Sequence, residues 1–140
     1  MSSKAIRDWF RSELVTRVPT VPYFDTVNTI PENKNLPDLW CTLEFNGATE
    51  QRISLGSRAC FREFGEVQII FVGRSGRKDD AVIDAAEQVR QQFFGINAHF
   101  SDGDLTLDAA GPPNTDATEN GNWFLGSVSC AYVFDTIRGV

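Results

Sequence analysis

The stretch Gly73-Arg74-Ser75-Gly76-Arg77-Lys78 lies between an apolar run and an amphipathic one, where a phosphate-binding loop would sit. Such a loop needs four residues between its glycines and then Lys-Ser/Thr, so that amides wrap the phosphate and a hydroxyl meets magnesium. Here two residues separate the glycines, and Asp79 follows Lys78, an acid that repels phosphate. The Gly-x-x-Gly spacing echoes the RNA-clamping loop of KH domains, but that loop joins two helices. The stretch reads as a basic, solvated turn suited to protein contact. Asp102-Gly103-Asp104 with Asp108 suggests calcium, yet the ligand spacing and closing Glu of an EF-hand are absent. A hairpin tip with solvated acids is the expectation. His99 is the single histidine, and no Ser-His-Asp or Cys-His set exists without it. Beside Phe100 it reads as a structural histidine. Glu63 and Glu66 are a carboxylate pair of the kind that does acid/base work, but nothing nearby in sequence raises a pKa. Cys41, Cys60 and Cys130 lie far apart without a C-x-x-C. They read as small core residues in a reducing compartment, not as a zinc site or a disulfide framework. The expectation is a non-enzyme with no catalytic residues, no metal and no cofactor.

The rest of the composition agrees with that expectation. The chain has 140 residues, 41% hydrophobic and 23% charged, with 11 Phe against one Met. That predicts one domain over residues 1–140 with an aromatic core. No apolar run approaches the ~20 residues of a membrane helix, and the first residues lack the pattern of a secretory signal. The net charge of −6 is uneven: residues 1–78 carry a net +2 and residues 79–140 a net −8. The overall acidity argues against tight duplex DNA binding. The split suits head-to-tail self-association.

The elements follow from periodicity. Ile6, Trp9, Phe10, Leu14 and Val18 make one face of a helix over residues 3–18, capped by Ser2 or Ser3 and stopped by Pro19 and Pro22. A short strand at 23–27 and a loop at 28–38 follow. Residues 39–45 alternate, with Leu39, Cys41, Leu43 and Phe45 on one side and Trp40, Thr42 and Glu44 on the other. Trp40 and Glu44 mark either a covered second face or an exposed contact patch. Asn46-Gly47 predicts a hairpin turn into a strand at 50–55. Residues 61–72 form the next strand, and its run 67–72 is apolar on both faces, as in a central strand. A helix over 79–94 carries Val82, Ala86, Val89 and Phe93 with Ala85 beside them, and Gly95 stops it. Residues 98–100 and 105–107 flank the turn Asp102-Gly103. Residues 111–122 read as a loop. The final strand, 123–134, turns Phe124, Val128, Cys130, Tyr132 and Phe134 to one side. The class is α+β, a mostly antiparallel sheet with two α-helices packed against it.

A helix ending in proline, from Ala5-Ile6-Arg7-Asp8-Trp9-Phe10 to Val18-Pro19, is followed by the strand Pro37-Asp38-Leu39-Trp40-Cys41-Thr42-Leu43-Glu44-Phe45. Next come a charged turn region and the strand Gly65-Glu66-Val67-Gln68-Ile69-Ile70-Phe71-Val72-Gly73, which leads into the helix that opens at Asp79. In order, length and strand-to-helix junction, residues 4–137 resemble the tail terminator proteins of long-tailed bacteriophages and prophages. The resemblance implies a structural virion-assembly protein. It would cap the tail tube as a hexameric ring, stop polymerisation and present the surface for head joining. Its partners would be itself, the tail tube protein and the head–tail connector protein, with no specific nucleic acid and no membrane. It would be found in the virion tail, and in the host bacterial cytoplasm during assembly. The family is non-enzymatic, and many members are monomeric before docking. The candidate loops for ordering on assembly are residues 46–59 and 111–122. A head–tail connector or tail-completion subunit is the alternative, and a small nucleotide-binding enzyme a more remote one. A ring needs two different patches on each subunit. Arg74, Arg77 and Lys78, with Arg58 and Arg62 near them, form the expected basic patch. Asp102, Asp104, Asp108, Asp116 and Glu119 form the expected acidic one.

Overall fold

The computed structural model describes residues 4–24, 37–54, 58–74, 79–93, 95–101, 103–111, 114–117 and 123–139. Helix α1 spans Lys4–Arg17 and α2 spans Asp79–Phe93. The strands are β1 (Leu39–Arg52), β2 (Arg58–Arg74), β3 (Asn97–Phe100), β4 (Gly103–Ala110), β5 (Asn114–Ala117) and β6 (Trp123–Gly139). Every strand pairing is antiparallel, in the lateral order β1-β2-β6-β4-β3, and β5 pairs with β6 beyond the end of β4. The chain is α+β.

Both helices lie on one face of the sheet. The α1 stripe Ile6, Phe10 and Leu14 is buried, as is the α2 stripe Val82, Ala86, Val89 and Phe93. They share one core with Leu43, Val67, Ile69, Phe71, Leu105, Leu107, Val128, Cys130 and Tyr132. Phe10 links the layers, with its ring stacked on Phe93 at 6.2 Å and tilted against Tyr132 at 6.1 Å. Trp9, expected in the core, is half-buried and sits edge-on to Phe10 and Phe93. Gly95 takes φ 69°, the left-handed conformation that ends α2 at little steric cost.

Within this core the Tyr132 hydroxyl donates to Glu63 Oε2 at 2.6 Å, and both residues are buried. The bond gives each of these buried polar groups a hydrogen-bond partner. Gly65 makes room for it, because any Cβ there would run into the Tyr132 ring.

β2 faces two ways. Val67, Ile69 and Phe71 point at the helices, while Ile70 and Val72 point outward under Trp40. This second, smaller cluster is why the run 67–72 is apolar throughout. It also settles Trp40, which is buried on the outer face, whereas Glu44 is exposed there.

Three expectations change. Asn46-Gly47 is not a turn: β1 runs straight through it, and the register against β2 shifts between Asn46 and Thr49. A hairpin at Asn-Gly needs positive φ at both residues, and Gly95 alone has it among the described residues. The 17-residue β2 pairs with both halves of β1, so the chain reverses only after Arg52. The expected flexible loop at 46–59 is thereby mostly strand. Within 111–122, residues Asn114–Ala117 form β5 by pairing with Ser127–Phe124. At 23–27 only Tyr23 pairs, in a parallel bridge to Cys41. Residues 25–36, and Ser2 and Ser3, lie outside the described residues.

Candidate interaction surface

Directly opposed residues of an antiparallel sheet share a face. On the face away from the helices, one row crosses five strands: Gln51, Arg62, Asp135, Asp104 and His99. Arg62 Nε donates to Asp135 Oδ1 at 2.7 Å and Nη2 donates to Oδ2 at 2.9 Å. This two-pronged bond, and the carboxylate charge behind it, push the Arg62 pKa above its ordinary value. Asp104 Oδ1 lies 2.6 Å from His99 Nδ1, and both side chains are exposed. His99 is therefore a surface residue, not the structural histidine its neighbour Phe100 suggested.

Apolar side chains flank the row. On one side run Ile53, Cys60 and Ile137, and on the other Phe64 and Val133. Phe64 is 38% exposed, Ile53 46% and Ile137 54%, the larger exposed apolar residues of the sheet. Beside Ile53 and Ile137 lies a groove of about 500 Å³, walled by these two, Cys60, Phe100 and the carboxylates Asp104 and Asp135. Cys60 is half-buried there, while Cys41 and Cys130 lie in the core, where burial pushes both thiols up to about 12.

The opposite end of the same face is built differently. Arg74 Nε bonds Asp38 Oδ1 at 2.8 Å, and the guanidinium lies 4.6 Å from the Trp123 ring centroid. Trp40 and Val72 are covered by Phe24, Ile70, Trp123 and Leu125. Trp40 Nε1 and Thr42 Oγ1 are buried there with no hydrogen-bond partner among the described residues.

This arrangement divides the expected patches. Arg62 and Arg74 are not neighbours: they sit toward opposite ends of β2, about 40 Å apart at roughly 3.3 Å per residue. Arg58 opens β2, also far from Arg74, and its backbone pairs with Gly139. An unbroken strand cannot bring those arginines to one turn. Asp104, assigned to the acidic patch, instead stands in one row with Arg62, so the two signs meet within a subunit. Arg77, Lys78, Asp102 and Glu119 lie outside the described residues. Of Arg58, Asp108 and Asp116 only the backbone is described, in β2, β4 and β5. Glu63 and Glu66 point to opposite faces, so the carboxylate pair does not form; Glu63 bonds Tyr132 and Glu66 bonds Asn46 at 3.4 Å. Among the described residues no three His, Cys, Asp or Glu side chains gather as a metal site.

Asp135, Phe64, Ile53 and Ile137 belong to this surface and were missed in the sequence. The period of two, carried past Phe134 to the end of β6, points Asp135 and Ile137 outward. No protein-family model matches the chain, and no curated protein sequence matches it.

Proposed function

We propose that the chain is a structural assembly subunit: a terminator that docks as a ring on the last ring of a phage tail tube and stops its growth. The observation that carries this reading is the one-sided sheet. Two helices cover one face, as the resemblance implies, and the other face presents exposed Phe64, Ile53 and Ile137 around an Arg62–Asp135 pair. Exposed apolar residues grouped around an oriented charge pair are what a protein contact uses. The mechanism is steric: a bound ring covers the surface that would recruit the next tube subunit, and its far side is offered to the head connector.

Deleting the gene from the phage or prophage genome that carries it tests the reading by electron microscopy. Tubes of uncontrolled length are the expected result. Tails of normal length that fail to join heads would replace the terminator by a connector. Normal, joined tails would remove both.

A further inference from the structure

The two edges of the sheet are finished differently. At β1 the segment 22–24 takes both backbone groups of Cys41: its amide donates to the Pro22 carbonyl at 2.8 Å and its carbonyl accepts from the Phe24 amide at 3.0 Å. Further along β1, Arg52 Nε donates to the Ser54 carbonyl at 2.7 Å. At the other edge β3 pairs with β4, and among the described residues no strand lies beyond it. β3 carries no lysine, proline or bulge, the usual guards of an edge; only its four-residue length limits what can add to it.

The register fixes which backbone groups of β3 face outward. The Leu107 amide donates to the Ile96 carbonyl at 2.9 Å, and these two stand opposed when the pairing of Asn97 with Thr106 is carried one step. By alternation Ala98 and Phe100 also turn their backbone groups to β4, while Asn97 and His99 turn theirs to the open edge. Both residues are exposed. The His99 side chain bonds Asp104 of its own subunit, which leaves the His99 amide and carbonyl out of that bond. Ile96, Ala98 and Phe100 are partly buried against the core.

The segment Ile96-Asn97-Ala98-His99-Phe100 is complementary to itself. Two copies run antiparallel about Ala98 set Asn97 of each against His99 of the other. Both residues aim their backbone groups at the edge, so each opposed pair exchanges two hydrogen bonds. The same register sets Ile96 of each copy against Phe100 of the other and Ala98 against Ala98, apolar to apolar. Sliding by one residue opposes edge-facing groups to inward-facing ones. Sliding by two sets His99 against His99, or against Gly95, whose φ of 69° takes it out of the extended strand.

We infer that β3 pairs with β3 of a second copy across a two-fold axis at Ala98, joining two sheets into one. The contact is isologous and uses the β3 edge of each copy, so it closes at a dimer. It is short, so the dimer forms at high protein concentration. It describes the free subunit and stands on β3 alone, independent of the tail reading.

Sedimentation of the full chain at rising concentration, in moderate salt to screen its net negative charge, should show a monomer–dimer equilibrium. Asn97→Pro removes an edge-facing donor from each copy and leaves every bond to β4 in place. It should weaken the dimer about tenfold or more while circular dichroism stays unchanged. Ala98 faces its own copy in a non-hydrogen-bonded pair, with Cα atoms roughly 4.5 Å apart, within disulfide reach. In a Cys60→Ala background, Ala98→Cys should therefore crosslink under mild oxidation. Asn97→Cys, two residues out of register with itself, should not. A chain that stays monomeric throughout overturns the inference. So does a dimer that a folded Asn97→Pro variant leaves unchanged, or crosslinking at residue 97 in preference to residue 98.

Discussion

One strand, β2, serves two faces that differ in what covers them. Inward, Val67, Ile69 and Phe71 are at 0% exposure beneath two helices. Outward, Arg62, Phe64, Glu66 and Gln68 are exposed or half-buried, and among the described residues protein covers only the far end, near Val72. The inner face holds the fold together. The outer face carries apolar and paired-charge side chains where they stabilise the subunit little, as the proposed contact role requires. Truncations on the two faces should therefore have unequal effects.

The largest loss is expected at the centre of the inner face. Phe71→Ala should cost about 3–5 kcal/mol, since a fully packed aromatic leaves a cavity. Thermal or urea unfolding measures it, and an unchanged midpoint would erase the distinction between the faces. Next comes Gly65→Ala. Its added methyl must displace the Tyr132 ring and strain the bond to Glu63, a cost of about 1–3 kcal/mol by overpacking. Pairing it with Tyr132→Phe should yield less than the sum of the two single losses, because both disturb one contact.

The cysteines sharpen the comparison chemically. Cys60 lines the outer groove and should react with a disulfide reagent in the native chain near neutral pH. Cys41 and Cys130 should react only after unfolding. Their raised thiols stay protonated in the folded chain where the unfolded chain ionises from about 9.0, the ordinary value. The unfolded state thus releases protons first, and stability should fall as the pH rises from about 9 toward 12. Replacing both by Ala should flatten that alkaline decline. The smallest effect belongs to the outer face: Arg62→Ala should leave the unfolding midpoint almost unchanged, because an exposed ion pair contributes little to folding.

How much of this was legible in the sequence follows from the range of each signal. The helices were legible because Ile6, Phe10 and Leu14, and Val82, Ala86, Val89 and Phe93, repeat at helical spacing, and Gly95 closes the second. The inner face of β6 was legible from alternation. The Asn46-Gly47 turn misled because its local preference for positive φ yields to a long partner strand, and partner length is a tertiary fact. β5 was hidden for the same reason, since the polar segment 114–117 becomes a strand only by borrowing the edge of β6. The proposed contact surface was the least legible part. Arg62 and Asp135 are 73 positions apart, and nothing local to either residue reports the register that joins them. Arg58 and Arg62 were grouped with Arg74 from sequence proximity, which an unbroken β2 overrides.

The central claim is that the outer face beside the Arg62–Asp135 pair is the surface through which the chain works. Complementing the gene deletion with a Phe64→Glu, Ile137→Glu variant and measuring tail lengths by electron microscopy tests it most directly. The account predicts a variant that melts as the wild type does, because neither side chain belongs to the core, yet leaves tails of uncontrolled length. Tails of wild-type length from that folded variant would contradict it.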